Sequence, residues 1–312
     1  MKLGIKIAPG KNRYQDIEKT HAEFVEVWYN ANKPDDYEDL FSYLKNYAPE
    51  SGLHFWGAID TGVLATLAYP DPDIIKQSIR LIEKTIEIAA QNTFSYVNIH
   101  PGTRALVTMD FETQACTLKS PPKKTGECEQ IFLENADSIS HFARENGVVL
   151  TIESVPPKTA NRWLATGSRD TVIDLGELPL TTLLTAVDRG AWFTNDFGHT
   201  AANFDQSAPE TIYPMLYDVS KKYASHTKLI HIGFLAPPYN GTDFHDSLDN
   251  PLLKTNATVP NNKQLVELLA LYNDRDDVFA LVEPHGNHIK NYFLAHALTT
   301  KAGKQGASGM SS

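Results

Sequence analysis

Carboxylates and imidazoles recur where apolar runs end: His100 in YVNIHPG, Glu153 in VVLTIES, Asp196 and His199 in WFTNDFGHT, His231 in LIHIG, and Glu283 in FALVEP. Asp243 and His245 follow in GTDFHDSL. These are the groups that hold zinc, manganese or iron. A lone histidine between isoleucines, as at His231, is ordinarily a satisfied core residue. Glu153 and Glu283 change that reading, because a buried carboxylate is costly unless it is paired or bound to a cation. Together with Asp196 and His231 they need a shared counter-charge, and a metal supplies it. Asp196-x-x-His199 spans a strand end and the first turn beyond it, with Gly198 letting the backbone turn. In Asp243-x-His245 both side chains fall on one side of an extended segment. With His199 they make two imidazoles and a carboxylate, enough for an open catalytic site. One such motif alone would be a helix cap or a solvated loop pair. All of them together predict a site for more than one metal. Asp60, His54, His285 and His288 read as ordinary polar residues of loops or core.

The elements that would position these residues alternate regularly. Short apolar runs at Leu3–Ala8, Phe24–Tyr29, Leu53–Ala58, Tyr96–His100, Val148–Glu153, Trp192–Asp196, Leu229–Ile232 and Phe279–Glu283 predict strands. Helical periodicity fills the gaps, most clearly over Asp73–Gln91, then over Glu129–Asn146 and Lys263–Asn273. Pro70, Asp71 and Pro72 supply a helix start for the first. Such alternation predicts a single α/β domain, a (β/α)8 TIM barrel over residues 1–298, in which strand ends converge on one mouth. A doubly wound sheet binding a dinucleotide is disfavoured, since no Gly-x-Gly-x-x-Gly follows the first strand. Residues 103–126, after the His100 strand, read as one long loop, either a lid over the mouth or a tolerated surface insertion. Residues 299–312 are small and polar and read as a disordered tail.

Composition narrows the class. The chain has 312 residues, 42% hydrophobic and 21% charged, with a formal net charge of −10. That charge counts against nucleic acid as partner without deciding it, since a local basic rim can sit on an acidic protein. No apolar run approaches the ~18 residues of a membrane span, and MKLGIKIAPG reads as a first strand, not a signal peptide. A cytoplasmic protein with Cys116 and Cys128 as reduced thiols is expected.

With these motifs in place, the chain resembles the endonuclease IV branch of the xylose-isomerase-like barrels (AP endonuclease family 2) from the first strand to Glu283. The matching pieces are N-I-H-P-G at His100, I-E at Glu153, D-x-x-H at Asp196 and His199, I-H-I at His231, D-x-H-x-S-L at Asp243, His245, Ser247 and Leu248, and V-E at Glu283. The resemblance implies a di- or trinuclear site, most often zinc, with manganese or iron as alternatives. Glu153 would bridge two metals, with His100 on the first. Asp196, His231 and Glu283 would complete the second. His199, Asp243 and His245 would hold the third. Related sugar isomerases and epimerases share the Glu, Asp, His, Glu set but lack the Asp-x-His pair. Two departures stand out. The family's histidine at the end of the third strand has no counterpart in FWGAIDTG, where Asp60 is the candidate replacement. The loop after the second strand, YNANKPDDYED, is acidic where the family's DNA-reading loop is basic and aromatic.

Three functions follow as expectations. The first is metal-dependent phosphoester hydrolysis, with an abasic-site endonuclease as the family's prototype and Glu153 and Glu283 as catalytic carboxylates. Arg104, Lys158 and Arg162 would bind phosphate, with Lys11, Arg13, Lys123, Lys124 and Arg169 as further cations in mouth loops. Trp163 would offer a stacking face. The second is a sugar or sugar-phosphate isomerase or epimerase, in which one metal binds the substrate and Glu153 or Glu283 shuttles a proton beside a carbonyl. The third is a non-catalytic metal-binding barrel.

Overall fold

A computed structural model describes residues 1–9, 13–47, 50–112, 115–160, 172–204, 208–242, 244–284 and 286–309. Among them, eight parallel strands close a barrel: β1 (Lys2–Ile7), β2 (Phe24–Asn30), β3 (Glu50–Trp56), β4 (Tyr96–Ile99), β5 (Val149–Glu153), β6 (Trp192–Asp196), β7 (Thr227–His231) and β8 (Phe279–Leu281). Each strand pairs with its sequence neighbours, and β1 closes on β8 with Lys2 opposite Phe279 and Leu3 opposite Ala280. Helices α1 (Arg13–Thr20), α2 (Glu38–Tyr47), α3 (Pro72–Gln91), α4 (Thr125–Glu145), α5 (Leu180–Asp188), α6 (Phe197–Ala202), α7 (Pro209–Lys222), α8 (Asn262–Ala270) and α9 (His288–Gly309) join the strands and follow the last one. The expected TIM barrel is therefore present, as are all eight expected strands.

Local chemistry sets the helix starts. Asp71 caps α3 by accepting from the backbone N–H of Asp73 and of Ile74, with Pro72 in the first turn. Asn261 and Gln264 form a reciprocal capping box on α8. The outward faces of the strands and the inward faces of the helices form one continuous apolar core.

Inside the barrel a second, small apolar cluster of Phe24, Tyr96, Leu229, Phe279 and Leu281 plugs the N-terminal end. Glycines make room for it. A Cβ on Gly4 would lie 2.3 Å from the Phe24 ring, and one on Gly52 would lie 2.3 Å from the Tyr96 ring. With that end filled, the polar residues of the interior are stacked toward the C-terminal mouth.

Two expectations are corrected. Residues 299–309 do not form a disordered tail; they continue α9. Tyr292, Ala295, Leu298 and Ala302 are buried at helical spacing, so one face of α9 is held against the core beyond residue 298. Residues 103–126 are not one structureless loop. They contain an antiparallel hairpin, Val107–Met109 with Cys116–Leu118, and α4 already starts at Thr125. The hairpin is stitched down: the Leu64 N–H donates to Val107 O (2.7 Å), and the Arg104 N–H donates to Gly176 O (2.7 Å). Cys116 and Cys128 are thiols, not a disulfide. Among the described residues no helix is long and apolar enough to cross a membrane.

Candidate metal centre

At the C-terminal mouth of the barrel the strand-end residues converge. Glu153 ends β5 and is fully buried. Its Oε2 accepts from Asn98 Nδ2 at 2.5 Å and lies 3.5 Å from His54 Nε2 and 3.7 Å from His100 Nε2. Its Oε1 lies 3.1 Å from His231 Nδ1 and 3.3 Å from His199 Nδ1. Asn98 is fixed in turn by the hydroxyls of Thr151 (3.0 Å) and Thr194 (2.8 Å), which donate to its Oδ1.

Four groups of possible ligands result among the described residues, in each of which one donor atom per residue lies within 4.8 Å of the others: His54, His100 and Glu153; Glu153, Asp196, His231 and Glu283; Asp196, His199 and His245; and Glu26, His54, His231 and Glu283. In the second, His231 Nδ1 is 3.2 Å from Glu283 Oε2 and 3.9 Å from Asp196 Oδ2. Asp196 both caps α6, accepting from the His199 N–H at 2.8 Å, and presents Oδ2 to the site. Gly198 lies inside α6, not at a turn. Its missing Cβ admits the backbone after β7, since a Cβ there would approach Phe234 N to 3.0 Å. His199 Nδ1 is 2.9 Å from Ser154 O, so that nitrogen carries the proton and Nε2 carries the lone pair. The His245 ring stands edge-on to it, 5.1 Å away.

The donor set fits divalent cations. Glu26, Glu153 and Asp196, all buried, and the half-buried Glu283 bring four carboxylates against one ammonium, Lys6, which pairs with Glu283 and with Glu26 at 3.2 Å. Burial would depress His231, yet Glu153 and Glu26 outweigh it and push it up to about 9. Burial holds His54 below its ordinary value, with Lys6 adding to the effect. Burial, aided by the neighbouring His54, His199 and Lys6, takes His100 down to about 3. The neutral imidazoles of His54 and His100, beside carboxylates in excess of the one ammonium, are what a metal requires of its ligands, and His231 would give up its proton on binding one.

Lys6, Glu26 and Asn98, which carry no signal in the sequence, belong here, as does His54, which the sequence presents as an ordinary polar residue. Lys6, Glu26, His54 and Asn98 sit within strands, not at their ends. His54, on the third strand, joins the group of His100 and Glu153. Asp60 is exposed and belongs to none of the ligand groups found among the described residues. Arg104 spends its guanidinium on the carbonyls of Lys123 (2.7 Å) and Glu177 (3.5 Å), tying the insertion to the segment before α5. Lys158 is exposed, outside the residues that line the cavity. Lys123 lies over the Tyr69 ring and Lys124 precedes α4. Asp243, His285, Lys11, Arg162, Trp163 and Arg169, and the side chain of Arg13, lie outside the described residues.

The centre opens into a cavity of about 690 Å³. Lys6, His100, Glu153, His199, His245 and Glu283 line it, together with Trp28, Trp56 and Leu64 and with Met109, Phe111 and Cys116 of the hairpin. Trp28 lies 6.3 Å from Trp56 and 6.4 Å from Phe111, ring to ring.

A sequence profile described as a xylose isomerase-like TIM barrel matches residues 14–235. The chain belongs to that family. Its members are enzymes, among them epimerases, isomerases and an endonuclease. No curated protein matches the sequence. Among solved structures, L-ribulose 3-epimerase is 10% identical, with 100% of this chain and 98% of that one covered at a TM-score of 0.63. D-psicose 3-epimerase with D-tagatose from Clostridium cellulolyticum is 12% identical, covering 97% and 96% at 0.54. Endonuclease IV from Thermus thermophilus is 13% identical, covering 98% and 100% at 0.54. At these identities the likeness is one of fold.

Glu177, on the segment between β5 and α5, lines the same cavity as His199 and His245. Burial is the main cause that lifts its carboxyl to about 7 from an ordinary 4.5, with Asp174 adding to it against the pull of His199. A raised folded-state value means that the stability this group contributes is complete below pH 4.5 and is lost as pH rises through 7. In chelator-treated protein, Glu177→Gln is therefore expected to raise stability at pH 8 by at most about 3 kcal/mol and to change little at pH 4. Thermal melts at the two pH values check this; equal shifts at both would refute it.

Proposed function

We propose that this protein is a polynuclear metal-dependent hydrolase acting on phosphoesters of small molecules. The observation that carries the reading is the double use of Glu153. One carboxylate oxygen belongs to the His54 and His100 group, the other to the group of Asp196, His231 and Glu283. A single ion would leave His54, His100, His199 and His245 without a purpose. Divalent ions held by these residues, with zinc favoured by the nitrogen-rich donor set, supply positive charge to a phosphoester's oxygens and lower the pKa of water.

The chain's own residues do the rest. Glu153, fixed by Asn98, sets the spacing of the first two groups. Ser154 O orients His199. Lys6 pairs with Glu283 and Glu26. Met109, Phe111 and Cys116 of the hairpin line the cavity, and Lys6 is the only lysine or arginine among the described lining residues. Both features favour a small ester over a DNA duplex, whose backbone calls for many cations.

The second reading, a sugar or sugar-phosphate isomerase or epimerase, draws support from the group of Glu153, Asp196, His231 and Glu283. That set is complete for one ion, with two carboxylates placed to pass a proton at a carbonyl. Elemental mass spectrometry on protein purified without chelator separates the two. Two or three ions per chain, with turnover of small phosphodiesters, is the expected result. One ion with activity on ketoses would establish the epimerase instead, and no ion even after zinc is offered would end both readings.

A further inference from the structure

Below the ligand groups lies a layer of polar side chains to which neither reaction assigns a part. Glu26 projects from the middle of β2, between Val25 and Val27, and is fully buried. Its Oε2 accepts from the Tyr96 hydroxyl at 3.1 Å. Its Oε1 lies 3.3 Å from His231 Nε2, 3.5 Å from His54 Nδ1 and 3.2 Å from Lys6 Nζ.

His231 Nε2 is turned away from the ligand groups, and His54 Nδ1 points to Glu26 Oε1 and, at 3.4 Å, to Glu283 Oε1. His231 gives Nδ1 to Glu153, Glu283 and Asp196, and His54 gives Nε2 to Glu153 and His100. An imidazole ligates through a lone pair, so its opposite nitrogen must carry the proton. In both rings that nitrogen lies within 3.5 Å of Glu26 Oε1, with Glu283 Oε1 as near to it at His54. We propose that Glu26 is a positioning residue that fixes the tautomer and ring orientation of two histidines serving two different metals, His54 and His231. Glu26, His54, His231 and Glu283 also converge within 4.8 Å. The Lys6 ammonium bonds three of the four, so a cation already serves that group and Glu26 acts from behind the ligands. Lys6 Nζ, 2.5 Å from His54 Nδ1, also competes with Glu26. When it donates there, the His54 proton sits on Nε2 and blocks ligation; when Nδ1–H turns to Glu26, Nε2 is open.

The proposal rests on the ligand groups described above but not on the reaction, and its test uses no turnover. Glu26→Gln keeps the volume and removes the charge. Titration of the full-length chain with zinc against a chromophoric chelator should show affinity weakened about 10- to 100-fold, the usual effect of losing a carboxylate behind a ligand histidine. Unchanged zinc affinity of the folded variant would overturn the proposal, even if its melting temperature fell. Should the variant not fold, the unaltered protein decides: ¹⁵N-histidine NMR of the zinc-loaded chain should show His231 metallated at Nδ1 and His54 at Nε2, each retaining the opposite N–H. Metallation of His231 at Nε2, or of His54 at Nδ1, would overturn it, as would a chain that takes up no zinc. Loss of phosphodiesterase activity with normal zinc titration would count against the hydrolase reading alone.

Discussion

Glu153→Ala is expected to strip the centre of most of its metal and, with it, of activity. Glu153 is common to two ligand groups, as Asp196 also is, and both its oxygens are used. Its loss leaves His54 and His100 without a carboxylate and cuts the second group to Asp196, His231 and Glu283. Replacing residues that merely orient ligands costs about 10- to 100-fold in metal affinity, so removal of a shared ligand should exceed that for both ions. Asn98 Nδ2 would lose its acceptor at 2.5 Å, and His231 one of the two carboxylates that hold its charge. Glu153→Gln keeps an acceptor for Asn98 and so should fold more like the parent while still losing metal. Elemental analysis of both variants, beside circular dichroism to confirm folding, gives the answer. A wild-type metal content in either would remove Glu153 from the centre.

The strand ends were legible because an acid or imidazole closing an apolar run has few structural reasons to be there. His100, Glu153, Asp196, His231 and Glu283 announce themselves in that way. Lys6, Glu26, His54 and Asn98 do not. Each lies within a run such as LGIKI, FVEVW or LHFW, flanked by residues that alternate between barrel interior and helix layer. Strands of a closed parallel barrel are buried on both faces. A polar residue in mid-strand therefore has no solvent side to read against, and its partners come from other strands: Glu26 meets His231, 205 positions on, only after the barrel closes. The hairpin escaped notice for a different reason. Its arms, VTM and CTL, are too short to carry a period, and their order comes from docking on Leu64. The C-terminal residues misled by composition, since the small side chain of Ala302 is what lets α9 lie close to the core.

The joint replacement His199→Ala with His245→Ala separates the two reactions most sharply. Neither residue belongs to the group of Glu153, Asp196, His231 and Glu283, nor to that of His54, His100 and Glu153. Their removal should therefore take one ion per chain and leave the other groups intact. A hydrolase that spreads the charge of a phosphoester over several ions should lose at least about a hundredfold in rate, since metal charge on the reacting oxygens supplies several kcal/mol. An epimerase working with one ion should keep its turnover. The substitution has a structural cost that must be measured alongside. His199 is buried, and its Nδ1–H donates to Ser154 O, so truncation leaves a buried carbonyl unsatisfied at a cost of about 1–3 kcal/mol. His199→Asn with His245→Ala offers a polar side chain in place of the imidazole and limits that loss. If phosphodiester hydrolysis survives unchanged in a folded double variant that binds one ion fewer, the third group takes no part in the reaction and the polynuclear mechanism contracts to the ions that Glu153 joins.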